Sequence, residues 1–152
     1  MAKNRNNNRP KQPRTALTLG DSKTPRLAAM PNYETEKLLW SVSILDFQGR
    51  WGWANVGRDT ISNDILPKLR NFESMTWGEI NHTKTGHPIY TKRIVAEAQK
   101  RLTELGLDDH DVLFRLELNG LQRIWGVRVR QVLCLLWWDP NHEIYPCFKK
   151  GS

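Results

Sequence analysis

The side chains that could handle a phosphate group gather in the last third of this 152-residue chain. His142, with an ordinary pKa of about 6.5, can give or take a proton near neutrality. Tyr145 can orient a phosphate or stack on a base. Arg115, Arg123 and Arg128 supply permanently charged guanidiniums that suit phosphate oxygens. A second group upstream, Glu79, His82 and Lys84, offers further acid, base and cation chemistry. Each has a plainer reading beside it. His142 follows Asp139-Pro140-Asn141 and suits a turn, and the arginines suit solvated strand positions paired with Glu117 and Asp139. Glu79 suits a helix cap.

These residues need elements to hold them, and hydrophobic periodicity predicts which. Trp40–Phe47 alternates as a strand and runs into a turn at Gln48-Gly49. Ile61, Ile65, Leu69 and Phe72 share one helical face, with Ser62 or Asn63 as cap and Pro67 early in the helix. Thr76 and Glu79 have the spacing of a capping box that opens a short helix. A loop covers 83–88, and a helix over 91–105 lines up Ile94, Ala98, Leu102 and Leu105 before Gly106 ends it. From Val112 the period changes to two. Asn119-Gly120 predicts a two-residue type I′ hairpin, which sets Phe114 opposite Trp125, Leu116 opposite Arg123 and Arg115 opposite Ile124. In that register Arg115 and Arg128 point away from Phe114 and Trp125, toward a non-core face. Arg123 shares the side of Trp125, near the sheet edge, where it could stack on Trp138. Val132–Trp138 is apolar on both faces, as in a well-covered strand. The order β-α-α-α-β-β-β predicts an α+β domain: a small antiparallel sheet with its helices on one face.

Composition removes other classes. The length suits one domain, and no apolar run approaches the ~20 residues of a membrane helix. Cys134 and Cys147 make neither a disulfide framework nor zinc spacing, so a reducing, cytoplasmic setting is the default. Asp108, Asp109, His110 and Asp111 are consecutive and lack the spacing of a calcium loop. There is no phosphate-cradling glycine loop, Ser-His-Asp order or nucleophile elbow. No metal or cofactor is therefore expected. The net charge is +7, but residues 1–31 hold seven bases and one acid, so nearly all the excess lies there. A pI of 9.7 thus does not make residues 32–152 a basic domain. The leader has too few apolar residues to fold alone and is predicted to be a disordered basic arm. It could contact phosphates, act as a transit-like leader, or be an inert extension. Among the seven tryptophans, Trp40, Trp77, Trp125 and Trp138 fit core positions, while Trp51, Trp53 and Trp137 could be exposed.

The element order and the run from Leu113 through Asn119-Gly120, Arg123, Trp125, Arg128, Trp137-Trp138-Asp139-Pro140 and His142 to Tyr145 resemble the RelE/ParE toxin superfamily of bacterial toxin–antitoxin systems. The likeness spans about residues 40–146 and is carried chiefly by 112–146. Trp51-Gly52-Trp53, the long leader and the nearly neutral domain depart from the family's pattern. The resemblance implies a metal-free endoribonuclease acting on RNA, including ribosome-bound mRNA, with a cognate antitoxin protein as partner and no membrane. It implies catalytic roles for His142, Tyr145, Arg128 and Arg115, and RNA contacts by Arg123, Lys84, His82 and Glu79. Cleavage of that kind needs a base for the 2′-hydroxyl, an acid for the leaving 5′-oxygen and cations around the phosphorane. Two other readings stand beside it: a non-catalytic module that binds nucleic acid or protein, and a ParE-like toxin that inhibits gyrase.

Overall fold

A computed structural model describes residues 32–146; the predicted basic arm and Cys147 lie outside the described residues. In chain order the main elements are β1 (Leu39–Ser41), α1 (Arg58–Thr60), α2 (Leu66–Glu73), α3 (Trp77–His82), β2 (Gly86–Tyr90), α4 (Ala96–Glu104), β3 (Val112–Glu117), β4 (Arg123–Val129) and β5 (Val132–Asp139). They form a mixed α+β fold around a five-stranded sheet ordered β1-β5-β4-β3-β2. β1 runs parallel to β5, and every other neighbouring pair is antiparallel.

Both faces of the sheet are covered. Phe114, Leu116, Ile124 and Leu133 pack with Phe72 of α2 and with Trp77 and Ile80 of α3. The intervening residues Leu113, Trp125, Leu136 and Trp137 pack with Ala98 and Leu102 of α4 and with Trp51. The helices therefore lie on both faces, not on one. Strand residues that alternate between two apolar sets need a cover on each side, since burying a large apolar side chain stabilises by about 1.5–3 kcal/mol.

The expected helix over 61–73 begins earlier, after Gly57, without a side-chain cap from Ser62 or Asn63. α1 continues through a π-helical stretch, Ile61–Ile65, into α2. Pro67 explains the wider turn: it cannot donate to the carbonyl four residues back, and its ring would strike that carbonyl in a regular helix. Ile65 and Phe72 are buried as their spacing predicts, with Ile61 and Leu69 packed beside them. The capping box is present, Glu79 N–H donating to Thr76 Oγ1 and Thr76 N–H to Glu79 Oε2. The helix expected over 91–105 is shorter, a single 3₁₀ turn at Thr91–Arg93 preceding α4.

Two strand assignments change. Of Trp40–Phe47 only Trp40 and Ser41 are in a strand, the three-residue β1 that begins at Leu39. The expected loop at 83–88 instead leads into β2, an edge strand paired to β3. Glu117 N–H donates to Thr85 O and Thr91 N–H to Asp111 O, so alternate residues 85, 87, 89 and 91 turn their peptides toward β3. Pro88 thus turns its donorless nitrogen outward, the one place where proline suits a strand.

The hairpin also differs from expectation. Gln122 N–H donates to Asn119 O and Leu118 N–H to Gln122 O, and Gly120 alone in this turn has positive φ, at +56°. One more residue enters the connection than a type I′ turn allows. The register shifts by one: Phe114 faces Gly126, Arg115 faces Trp125, Leu116 faces Ile124 and Glu117 faces Arg123. A one-residue slip exchanges the faces of one strand relative to its partner. A second irregularity follows at Trp125/Gly126, where Leu136 of β5 is left without a partner. The loop after β1 stitches this bulge, because Leu136 O accepts from both Asp46 N–H and Trp53 Nε1–H.

Candidate functional site

At the far end of the meander, Glu117, Arg123 and Asp139 stand abreast on β3, β4 and β5. Arg115 lies on the same face, two residues back along β3. Beyond Asp139 the chain turns sharply. Both oxygens of the fully buried Asp139 carboxylate accept backbone donors, Glu143 N–H at 2.9 Å and Ile144 N–H at 3.0 Å. His142 sits inside that turn in the left-handed region, with φ +56°. The turn brings its Nε2 to 3.2 Å from Arg115 Nη1. A guanidinium only donates, so Nε2 accepts and the ring proton rests on Nδ1. The Arg115 guanidinium also lies 6.0 Å from the ring centre of Tyr145.

Glu117 balances the two arginines, 3.2 Å from Arg115 and 3.8 Å from Arg123. Arg123 donates from Nη1 to Gly120 O and Gln122 O, which ties it to the hairpin. Both guanidinium residues are more than nine-tenths buried, whereas His142, Glu117 and Tyr145 are half-buried. Burial and the charges of Arg123 and Arg115 lower the His142 pKa below its ordinary value, against the opposing pull of Asp139 and Glu117. The imidazole is therefore neutral at pH 7. A neutral imidazole beside two cations can take a proton from a hydroxyl whose neighbouring phosphate the cations hold.

The structure thus brings together four residues singled out from the sequence: Arg115, Arg123, His142 and Tyr145. It separates the rest. Arg128 faces the opposite side of the sheet, its guanidinium 3.8 Å from the centre of the Trp77 ring and 3.2 Å from Glu34. The register shift between β3 and β4 alone undoes the shared face expected for Arg115 and Arg128. Arg123 pairs across from Asp139, while Trp138 packs into the other core, so the expected stacking does not form. Glu79 is committed to its capping box, and it, His82 and Lys84 are exposed around α3, on the side of the sheet away from His142. Trp51 and Trp137 are buried and Trp53 is half-buried, which corrects their expected exposure.

Glu117 and Asp139 belong to the cluster, though the sequence suggested them only as pairing partners. The signal for Asp139 was present in Asp-Pro-Asn, where a carboxylate before a proline turn commonly accepts backbone donors. Among the described residues, no three of His, Cys, Asp and Glu are grouped to hold a metal ion, and no helix is long and apolar enough to cross a membrane.

No family model, curated protein or solved structure matches the chain.

Proposed function

We propose that the chain is a metal-independent endoribonuclease of RelE-like type, with His142 as its base. The observation that carries the reading is the His142 imidazole held neutral against Arg115, with Arg123 and Tyr145 beside it. In this reaction the 2′-hydroxyl of a ribose gives its proton to Nε2 of His142, and its oxygen attacks the adjacent phosphorus. The bond to the 5′-oxygen breaks, and that oxygen takes a proton from Tyr145 or water. A 2′,3′-cyclic phosphate and a 5′-hydroxyl result. Arg115 and Arg123 stabilise the charge that builds on the phosphorane. In the resting site Arg115 occupies the nitrogen that the base must use, so phosphate binding to Arg115 also uncovers it.

RNA, ribosome-bound mRNA included, is the substrate on this reading; a cognate antitoxin is the protein partner, and the cytoplasm the setting. No role in it falls to Arg128, Glu79, His82 or Lys84.

The test is His142→Asn, which tolerates the left-handed backbone but cannot carry the proton. Cleavage should fall about 10²–10⁴-fold while RNA affinity is retained. The products should end in cyclic or 3′-phosphate, and chelators should leave the rate unchanged. Undiminished cleavage by the variant, or a requirement for Mg²⁺, overturns the assignment. One observation favours a second reading, a non-catalytic module for nucleic acid or protein: Arg115 and Arg123 are buried and already bonded internally. Binding of RNA without cleavage, with or without ribosomes, selects that module.

A further inference from the structure

We propose that Asp139 is the positioning residue that carries His142 to Arg115, an inference that rests on the reading of His142 as the base. β5 ends at Asp139, and the next three residues must reverse direction for His142 to reach back over β3. On the sheet side the reversal is fixed by Asp139. The Asp139 carboxylate is fully buried, and its two oxygens take the backbone N–H groups of Glu143 and Ile144, one each. These donors follow His142 directly, and His142 itself adopts the left-handed conformation.

The turn has two further anchors. Ile144 is fully buried, and its carbonyl accepts from Val95 N–H at the start of α4. Arg50 joins Glu97 of α4 to Glu143. These hold the outer limb of the turn on α4, while Asp139 ties the turn's backbone to the sheet that carries Arg115. A carboxylate is suited to this task because two donors converge on it, where an amide offers only one acceptor atom.

Asp139 could instead act on His142 only as a charge, and the two roles move the imidazole in opposite directions. The charged groups that act on His142 are Arg115 and Glu117 on β3, Arg123 on β4 and Asp139 on β5, while on its own turn Glu143 pairs with Arg50 and Tyr145 lies against Arg115. If the ring stays in place, loss of the Asp139 charge leaves the two guanidiniums less opposed and the His142 pKa falls further. If the turn is released, the ring leaves the guanidiniums and its pKa rises toward the ordinary value of about 6.5.

The experiment is an NMR titration of the His142 ring in the full chain, compared between wild type and Asp139→Asn. A rise in the variant supports positioning; a fall or no change overturns it. Should Asp139→Asn fail to fold, Asp139→Glu keeps the charge but overreaches the two donors by one methylene. The same rise is then expected, and an unchanged titration again overturns the proposal. RNA cleavage provides the second reading of both variants. Displacing the base by about 1 Å should cost on the order of 10²-fold in rate, and the acidic limb of the pH–rate profile should move upward with the titration. A rise in the titration with no cleavage by the wild type would leave the positioning role standing and remove the endoribonuclease.

Discussion

An imidazole kept neutral beside two guanidiniums ties the stability of the fold to pH. In the unfolded chain His142 titrates near pH 6.5, whereas burial, Arg123 and Arg115 lower its pKa in the fold. Between those two values the unfolded state binds a proton that the native state does not. Stability is therefore full above about pH 6.5 and falls as the pH drops through the folded value. Urea unfolding at pH 7 and pH 5 should show a larger loss for wild type than for His142→Asn, and equal losses would refute the linkage. Asp46 acts in a separate, lower window. Burial raises its carboxyl, but hydrogen bonds from Arg101 and Trp137, the Arg101 charge and the Gln48 amide outweigh it and leave the pKa below normal. Its contribution is present above the unfolded value of about 3.9 and is lost as the pH falls through the folded one, so it does not confuse the comparison.

At the scale of elements, one glycine decides which residues share a face. Asn119-Gly120 read as a two-residue type I′ turn, which requires positive φ at both positions. Only Gly120 has it, and the chain inserts one more residue before pairing resumes. The existence of β3, β4 and β5 was legible because alternation over six to eight residues survives a slip in register. The placement of Arg128 was not, because it depends on the one-residue slip between β3 and β4. β2 was hidden because Gly86, His87 and Pro88 carry turn chemistry and become a strand only where proline can face outward. β1 was mislocated because a three-residue edge strand is defined by its partner rather than by its own pattern. The candidate site was partly legible for the opposite reason. His142 and Tyr145 flank a turn fixed by Asp139, so their proximity survives errors in strand pairing. Gly120→Val should destabilise the domain by about 1 kcal/mol or more, since a β-branched residue resists φ near +56°. Thermal or chemical denaturation would measure this, and a neutral result would place the strain of the hairpin elsewhere.

For the whole molecule, the net charge is concentrated in one part of the sequence. Residues 1–31 carry +6 of the net +7, while residues 32–146 build two apolar cores whose side chains interleave through one sheet. On the endoribonuclease reading, electrostatic attraction to RNA should depend chiefly on residues 1–31. Deleting residues 1–31 should weaken RNA binding at low salt and flatten its salt dependence, because each phosphate neutralised adds about 0.7 to the slope for single strands. An unchanged slope would show that the domain itself supplies the attraction.

The parallel pairing of β1 with β5 bears on the order of events as the chain is made. Leu39 meets Val132 across roughly ninety positions of sequence, whereas the β3–β4 and β4–β5 pairs close over short connections. During synthesis the N-terminal edge of the sheet therefore has no partner until β5, and the turn that carries His142, are nearly complete. The loop that stitches Leu136 waits for the same moment. Of the described strands, the first to emerge cannot dock before β5 is made, so the sheet can close only late in synthesis.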